Sequence, residues 1–195
     1  VAIPVFSLRT ENGAGVGEFP DIKLMVDWAV KTGLKVVQVL PVNDTVATHT
    51  WVDSYPYAAV SVDALHPIYA NMSAIGQLKD KKAQAKIDKK ATELNALEEV
   101  DYEGVMTLKS EFFKWSFEEN KEKFLKSKAF KEFFEANKNW LPDYAAFCCL
   151  RDKNNTPDFT QWGKHERMTQ KELDLFVSPK SKHYDDVAIH YFIQF

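Results

Sequence analysis

The sequence predicts an α/β fold: a βαβ opening followed by a long, mostly helical excursion. Three observations carry this reading. Two short β-branched runs, "VAIPVFSL" (Val1–Leu8) and "LKVVQVLP" (Leu34–Pro41), flank a segment with helical apolar spacing. From Ser73 to Trp140 the strand pattern gives way to Lys, Glu, Ala and Phe in helical order. A chain of 195 residues, 45% hydrophobic and 27% charged, holds enough apolar material for a sizeable core.

Each β-branched run is bounded by polar residues and reads as a buried strand. Between them Ile22, Met25, Val26, Ala29 and Val30 recur at the spacing of one helix face, with Pro20 in the first turn and Gly33 as the stop. Strand, helix, strand in this order requires a parallel pair and a right-handed crossover. Val1 opens directly on a strand-like run and "IHYFIQF" closes without a stop signal, so the chain reads as the N-terminal slice of a larger α/β domain.

After Pro41 comes a polar and aromatic loop through Met72, of a kind that carries function in parallel α/β folds. The lysine excess between Lys79 and Lys90 is balanced by acidic residues downstream and interleaved with no aromatics, which makes it a solvated helix face rather than a nucleic-acid footprint. Phe130, Phe133, Phe134 and Leu141 form one stripe. A break falls at Asn139–Pro142, "DYAAFCCLRD" reads as a short apolar helix and "KNNTPD" as a loop. Thr169 with Glu172 makes a capping box for a helix through Val177, ended by Ser178–Pro179, and a last helix begins near Asp185.

The net charge of −3 points to no polyanionic partner. No apolar run approaches membrane-spanning length. Cys148 and Cys149 are adjacent, which suits reduced, buried small hydrophobes and a reducing, cytoplasmic compartment.

The chemistry narrows by elimination. In "NGAGVGEF" (residues 12–19) the dinucleotide fingerprint fails: counting from Gly13, the sixth position is Glu18, whose carboxylate would repel a pyrophosphate. The three glycines then read as a tight strand-to-helix turn. His183 and His190 could share a helix face but have no third ligand near in sequence, so no metal is expected. No G-x-S-x-G elbow occurs. What remains is the loop after the second strand, where such folds bind ligands. Trp51, Tyr55 and Tyr57 offer flat apolar faces, and Asp53 and Ser54 offer partners for hydroxyls; the pattern suits a sugar, or aromatics that merely pack the loop.

Four collinear stretches carry a resemblance: "SLRTENGAGVGEFPDIKLMVDWAVKTG", "QVLPVNDT", "DSYPYAAVSVDALHPIY" and "FCCLRDKNN…FTQWGKH…HYDDVAIHYFIQF". Together they resemble glycoside hydrolase family 77, the 4-α-glucanotransferases (amylomaltases, or disproportionating enzymes), and within it the type 2 branch. The resemblance implies the N-terminal portion of a (β/α)₈ barrel, its first two strands at Val1–Leu8 and Lys35–Leu40, with a large helical insertion. It divides the chain into 1–72 (first βαβ part with the substrate loop), 73–141 (helical insertion) and 142–195 (a further helical part leading back to the barrel).

It also implies transfer of α-1,4-glucan segments by a retaining double displacement, on maltodextrin, starch or glycogen-type substrates, with no cofactor and no metal. The family's catalytic carboxylates match positions beyond Phe195, so no catalytic residue is assigned here; Asp44, Asp53 and Asp63 do not fill that role, and the chain alone is expected to be inactive. The substrate-binding residues it implies are Asn43, Trp51, Asp53, Ser54, Pro56 and Tyr57, with Tyr57 stacking near the cleaved bond. One residue is inserted in Ser54-Tyr55-Pro56-Tyr57 relative to the family's S-P-Y element, and His66–Pro67 stands where shorter members have Asn-Pro. The competing expectation is a non-catalytic carbohydrate-binding or helical interaction module.

Overall fold

In the computed structural model, which describes residues 1–195, β1 (Ala2–Ile3) and α1 (Asp21–Lys31) precede β2 (Gln38–Val39). The two strands are parallel, with Ala2 opposite Gln38 and Ile3 opposite Val39. The βαβ order is therefore as the periodicity predicts, but the strands are two residues long and are not buried: Ala2, Gln38 and Val39 are exposed. Prolines account for the length. Pro4 follows β1, and Val5–Ser7 turns away as a 3₁₀ helix. On the other side the pairing ends with the Leu40 N–H donating to Ile3 O (3.2 Å), just before Pro41.

α1 keeps the predicted bounds, and Gly33 follows it with φ +77°, a conformation that favours glycine. Its predicted buried face is a different matter. Only Ala29 is buried, while Val26 and Val30 stand 45% and 73% exposed. Ile22 and Met25 of the same face are half-buried.

Two compact units make up the chain, Val1–Glu119 and Asn120–Phe195. In the first, α2 (Met72–Ile75), α3 (Lys81–Asn95) and the start of α4 (Tyr102–Lys126) follow the long loop. α3 buries Ile87 and Leu94, two turns apart, and leaves its lysines to solvent. Asp80 caps it, accepting from the Lys82 and Ala83 amides at 2.8 and 3.2 Å. Its last turn has no basic residue of its own; Arg9 supplies the charge, donating to the carbonyls of Asn95 (2.9 Å), Leu97 (2.7 Å) and Glu98 (2.9 Å). Asn95 reaches back, accepting from the Gly15 amide and donating to Thr10 O and Glu11 O.

The second unit contains α5 (Lys128–Asn137), α6 (Leu141–Asn154), α7 (Gln170–Phe176) and α8 (Tyr184–Gln194), with α6 packed on α7 and α8. Phe130 lies 4.2 Å from Phe124, ring centre to ring centre, beside Tyr191. Leu141 does not continue the phenylalanine stripe: it opens α6, whose early Pro142 sits where a missing N–H costs nothing. α6 also absorbs Lys153 and Asn154, expected in a loop, and stops at Asn155 in the left-handed region. Both cysteines are free and buried, and burial pushes the Cys149 thiol up to about 11. The Thr169–Glu172 capping box is present. No helix is long and apolar enough to cross a membrane.

Candidate substrate cavity

The loop after β2 is closed on itself. Asn43 and Leu65 form an isolated antiparallel bridge, and the Asp44 and His66 amides donate to Ala64 O and Val42 O, both at 2.9 Å. Asp53 organises its tip. The carboxylate, 4% exposed, accepts from the Thr48 amide (3.1 and 2.9 Å), the Thr48 hydroxyl (3.0 Å) and the His49 amide (2.7 Å). The Thr45 hydroxyl donates to the Asp53 carbonyl. This network holds His49 at φ 59° and launches the 3₁₀ turn Trp51–Ser54.

Between this loop and the start of α4 lies a cavity of about 480 Å³, lined by residues that include Asn43, Trp51, Ser54, Pro56, His66, Tyr102 and Glu103. Its inner wall holds a buried hydrogen-bonded pair. The His66 Nδ1 accepts from the Ile68 amide (3.1 Å), so the neutral ring carries its proton on Nε2, which faces the Tyr102 hydroxyl at 3.1 Å. Burial pushes the neighbouring Tyr69 hydroxyl up to about 12. Trp51 is 69% exposed at the rim, and its backbone amide donates to the Glu103 carboxylate at 2.9 Å.

Of the six residues expected to bind substrate, Asn43, Trp51, Ser54 and Pro56 meet at this cavity. Tyr57 and Asp53 do not line it. Tyr57 stands in solvent with its ring 5.6 Å from that of Tyr55, and Asp53 is engaged within the loop. Sequence reasoning missed the α4 side of the wall. Its trace in the sequence is Asp101, which accepts from the Gly104 amide (2.8 Å) as a helix-start residue would, immediately before the aromatic Tyr102.

The glycine amides of the loop are already committed within the protein. Gly13 N–H donates to Thr10 O (3.1 Å), Gly15 N–H to the Asn95 side chain (3.1 Å) and Gly17 N–H to Phe6 O (2.9 Å). A Cβ on Gly17 would run into the Val5 carbonyl and lie 2.7 Å from the Leu8 nitrogen, so only glycine fits. Glu18 is buried instead of facing a phosphate. Its Oε1 accepts from Lys109 Nζ and its Oε2 from Asn71 Nδ2, both at 2.5 Å. Lys109 gives its remaining protons to the carbonyls of Ile68 and Ala70. Burial draws the Lys109 ammonium below the usual lysine range, and the Glu18 carboxylate pulls it back up. The pair thereby ties the first loop to the 3₁₀ turn Pro67–Tyr69, whose Ile68 and Tyr69 line the cavity.

The glycoside hydrolase 77 family model, described as 4-alpha-glucanotransferase, matches residues 3–195. The chain belongs to glycoside hydrolase family 77. Among its relatives in the family is the 4-alpha-glucanotransferase DPE2 of Oryza sativa subsp. japonica, 44% identical over all of this chain and 20% of the relative. The 4-alpha-glucanotransferases of Chlamydia muridarum and Chlamydia trachomatis are each 31% identical, over 90% and 100% of this chain and 34% and 36% of their own lengths. The family 77 chain described here therefore spans between a fifth and about a third of these relatives.

Proposed function

We propose that this chain is the glucan-binding opening of a cytoplasmic 4-α-glucanotransferase that moves α-1,4-glucan segments between maltodextrins. On this reading β1 and β2 belong to a (β/α)₈ barrel, with 73–141 an insertion and 142–195 the return to the barrel. The reaction is a retaining double displacement: one carboxylate attacks the anomeric carbon, a second gives and takes the proton, and a sugar hydroxyl releases the glucosyl-enzyme. Those carboxylates belong to the part of the enzyme beyond Phe195. The substrates are maltodextrins and starch or glycogen-type glucans.

One observation carries the reading: the exposed Trp51 meets Asn43, Ser54 and Pro56 at one cavity, and the same loop holds Tyr55 and Tyr57 exposed outside it. Flat rings suit the apolar C–H faces of glucose, and amide and hydroxyl groups suit its rim. Relatives over the whole chain being named 4-alpha-glucanotransferase supports the same substrate class.

The test is titration calorimetry with maltoheptaose, comparing the wild type with Tyr57→Ala, alongside maltotriose turnover. The whole protein should convert maltotriose into glucose and longer maltodextrins, and Tyr57→Ala should weaken binding. Hydrolysis without transfer by the whole protein would refute the transferase reading. Turnover by residues 1–195 alone would refute the placement of the catalytic carboxylates.

A further inference from the structure

Most of the aromatic loop is organised from within, but the start of its 3₁₀ turn is held from outside. Thr50, which precedes the turn, makes no side-chain cap; its hydroxyl pairs with that of Thr48 at 2.7 Å. The orphaned amide of Trp51 donates instead to Glu103 Oε1 at 2.9 Å, across 52 residues of sequence. Glu103 sits in the first turn of α4, where the helix dipole favours a carboxylate.

We propose that Glu103 is a positioning residue that sets the direction of the Trp51 ring for glucan stacking. The inference rests on the proposed glucan-binding role of the loop. With Trp51 69% exposed, little packing fixes it, so the backbone, which sets the Cα–Cβ direction and the rotamers open to the ring, is the main constraint on where the ring can lie. An anchored platform loses less freedom when a sugar stacks on it, and that difference appears as affinity. The oxygen of Glu103, not its charge, is what the Trp51 amide requires. Glu103→Gln keeps an acceptor at the same reach, whereas Glu103→Ala removes it.

Maltoheptaose binding by the whole protein, measured by titration calorimetry with melting temperatures recorded in parallel, tests this. Glu103→Ala should weaken binding roughly threefold to tenfold, the range of one net hydrogen bond. Glu103→Gln should restore most of that loss. Trp51→Ala should weaken binding on its own, and adding Glu103→Ala to it should cost nothing further. If Trp51→Ala weakens binding and Glu103→Ala does not, the positioning role is wrong and the glucan-binding role of the loop stands. If the two losses add in full, or if Gln behaves like Ala, Glu103 acts by itself or through its charge and the inference is overturned. If Trp51→Ala leaves binding unchanged, the platform itself is wrong and the inference falls with it.

Discussion

Replacing Lys109 by methionine keeps the unbranched side chain to within one atom of its length and removes its buried charge. Lys109 is fully buried, and its Nζ has three acceptors: Glu18 Oε1, Ile68 O and Ala70 O. The substitution leaves the Glu18 carboxylate, 3% exposed, with Asn71 as its remaining side-chain donor, and removes a donor from each of two carbonyls. Removing one member of a buried pair costs about 3–5 kcal/mol. The orphaned carbonyls lie inside that figure, since losses at contacting groups do not add. For a chain of this size the cost corresponds to a fall in melting temperature of about 6–20 °C. The informative comparison is the double variant Lys109→Met with Glu18→Gln, which removes both charges. It should melt well above Lys109→Met alone, because the isolated buried charge is the main cost. Thermal melts followed by circular dichroism measure both. A single variant within about 2 °C of wild type, or a double variant no better than the single, would refute the argument.

Three further outcomes follow from geometry already described. Gly17→Ala forces a Cβ against the Val5 carbonyl and Leu8, and should cost about 1–3 kcal/mol in urea unfolding; an unchanged midpoint would contradict the close approach. Thr169→Ala removes the capping-box hydroxyl of α7 and should cost about 1 kcal/mol, with Thr169→Ser nearly neutral; equal losses in both would rule out the cap as the cause. Burial, with Lys153 and other nearby lysines, holds His165 and His183 below the usual histidine range. The unfolded chain then takes up protons first, so this stability is complete above about pH 6.5 and is lost as the pH falls. Melting temperatures from pH 7.5 down to about 5.5 should therefore fall more steeply for the wild type than for His165→Gln/His183→Gln, and parallel curves would exclude these rings as the source.

The sequence made local features legible and left non-local ones hidden. The βαβ order follows from apolar spacing around Ile22–Val30, and the α7 cap from Thr169 and Glu172, because each is decided within a few residues. Strand length and burial are not decided that way. They depend on what packs alongside, and here β1 pairs with β2 only, between two prolines. The loop's half of the cavity could be read from Asn43, Trp51, Ser54 and Pro56, all close in sequence. The α4 half could not, because Glu103 meets Trp51 across 52 residues; the Lys109–Glu18 pair, 91 residues apart, was hidden for the same reason. Asp53 shows the remaining limit: a carboxylate beside aromatics reads as a sugar partner, yet its four incoming hydrogen bonds come from Thr48 and His49.

The grip of Arg9 on the end of α3, and of Asn95 on the first loop, has a kinetic meaning. Its bonds join residues 80 to 89 apart, so none can form until a long stretch of chain has been closed. α3, by contrast, needs only neighbours and forms on the microsecond scale of helices. The glycine-rich turn is thus held by contacts that close more slowly than the helix they grip can form. Any change that frays the last turn of α3 will be felt near the start of the chain, as a first loop that closes late.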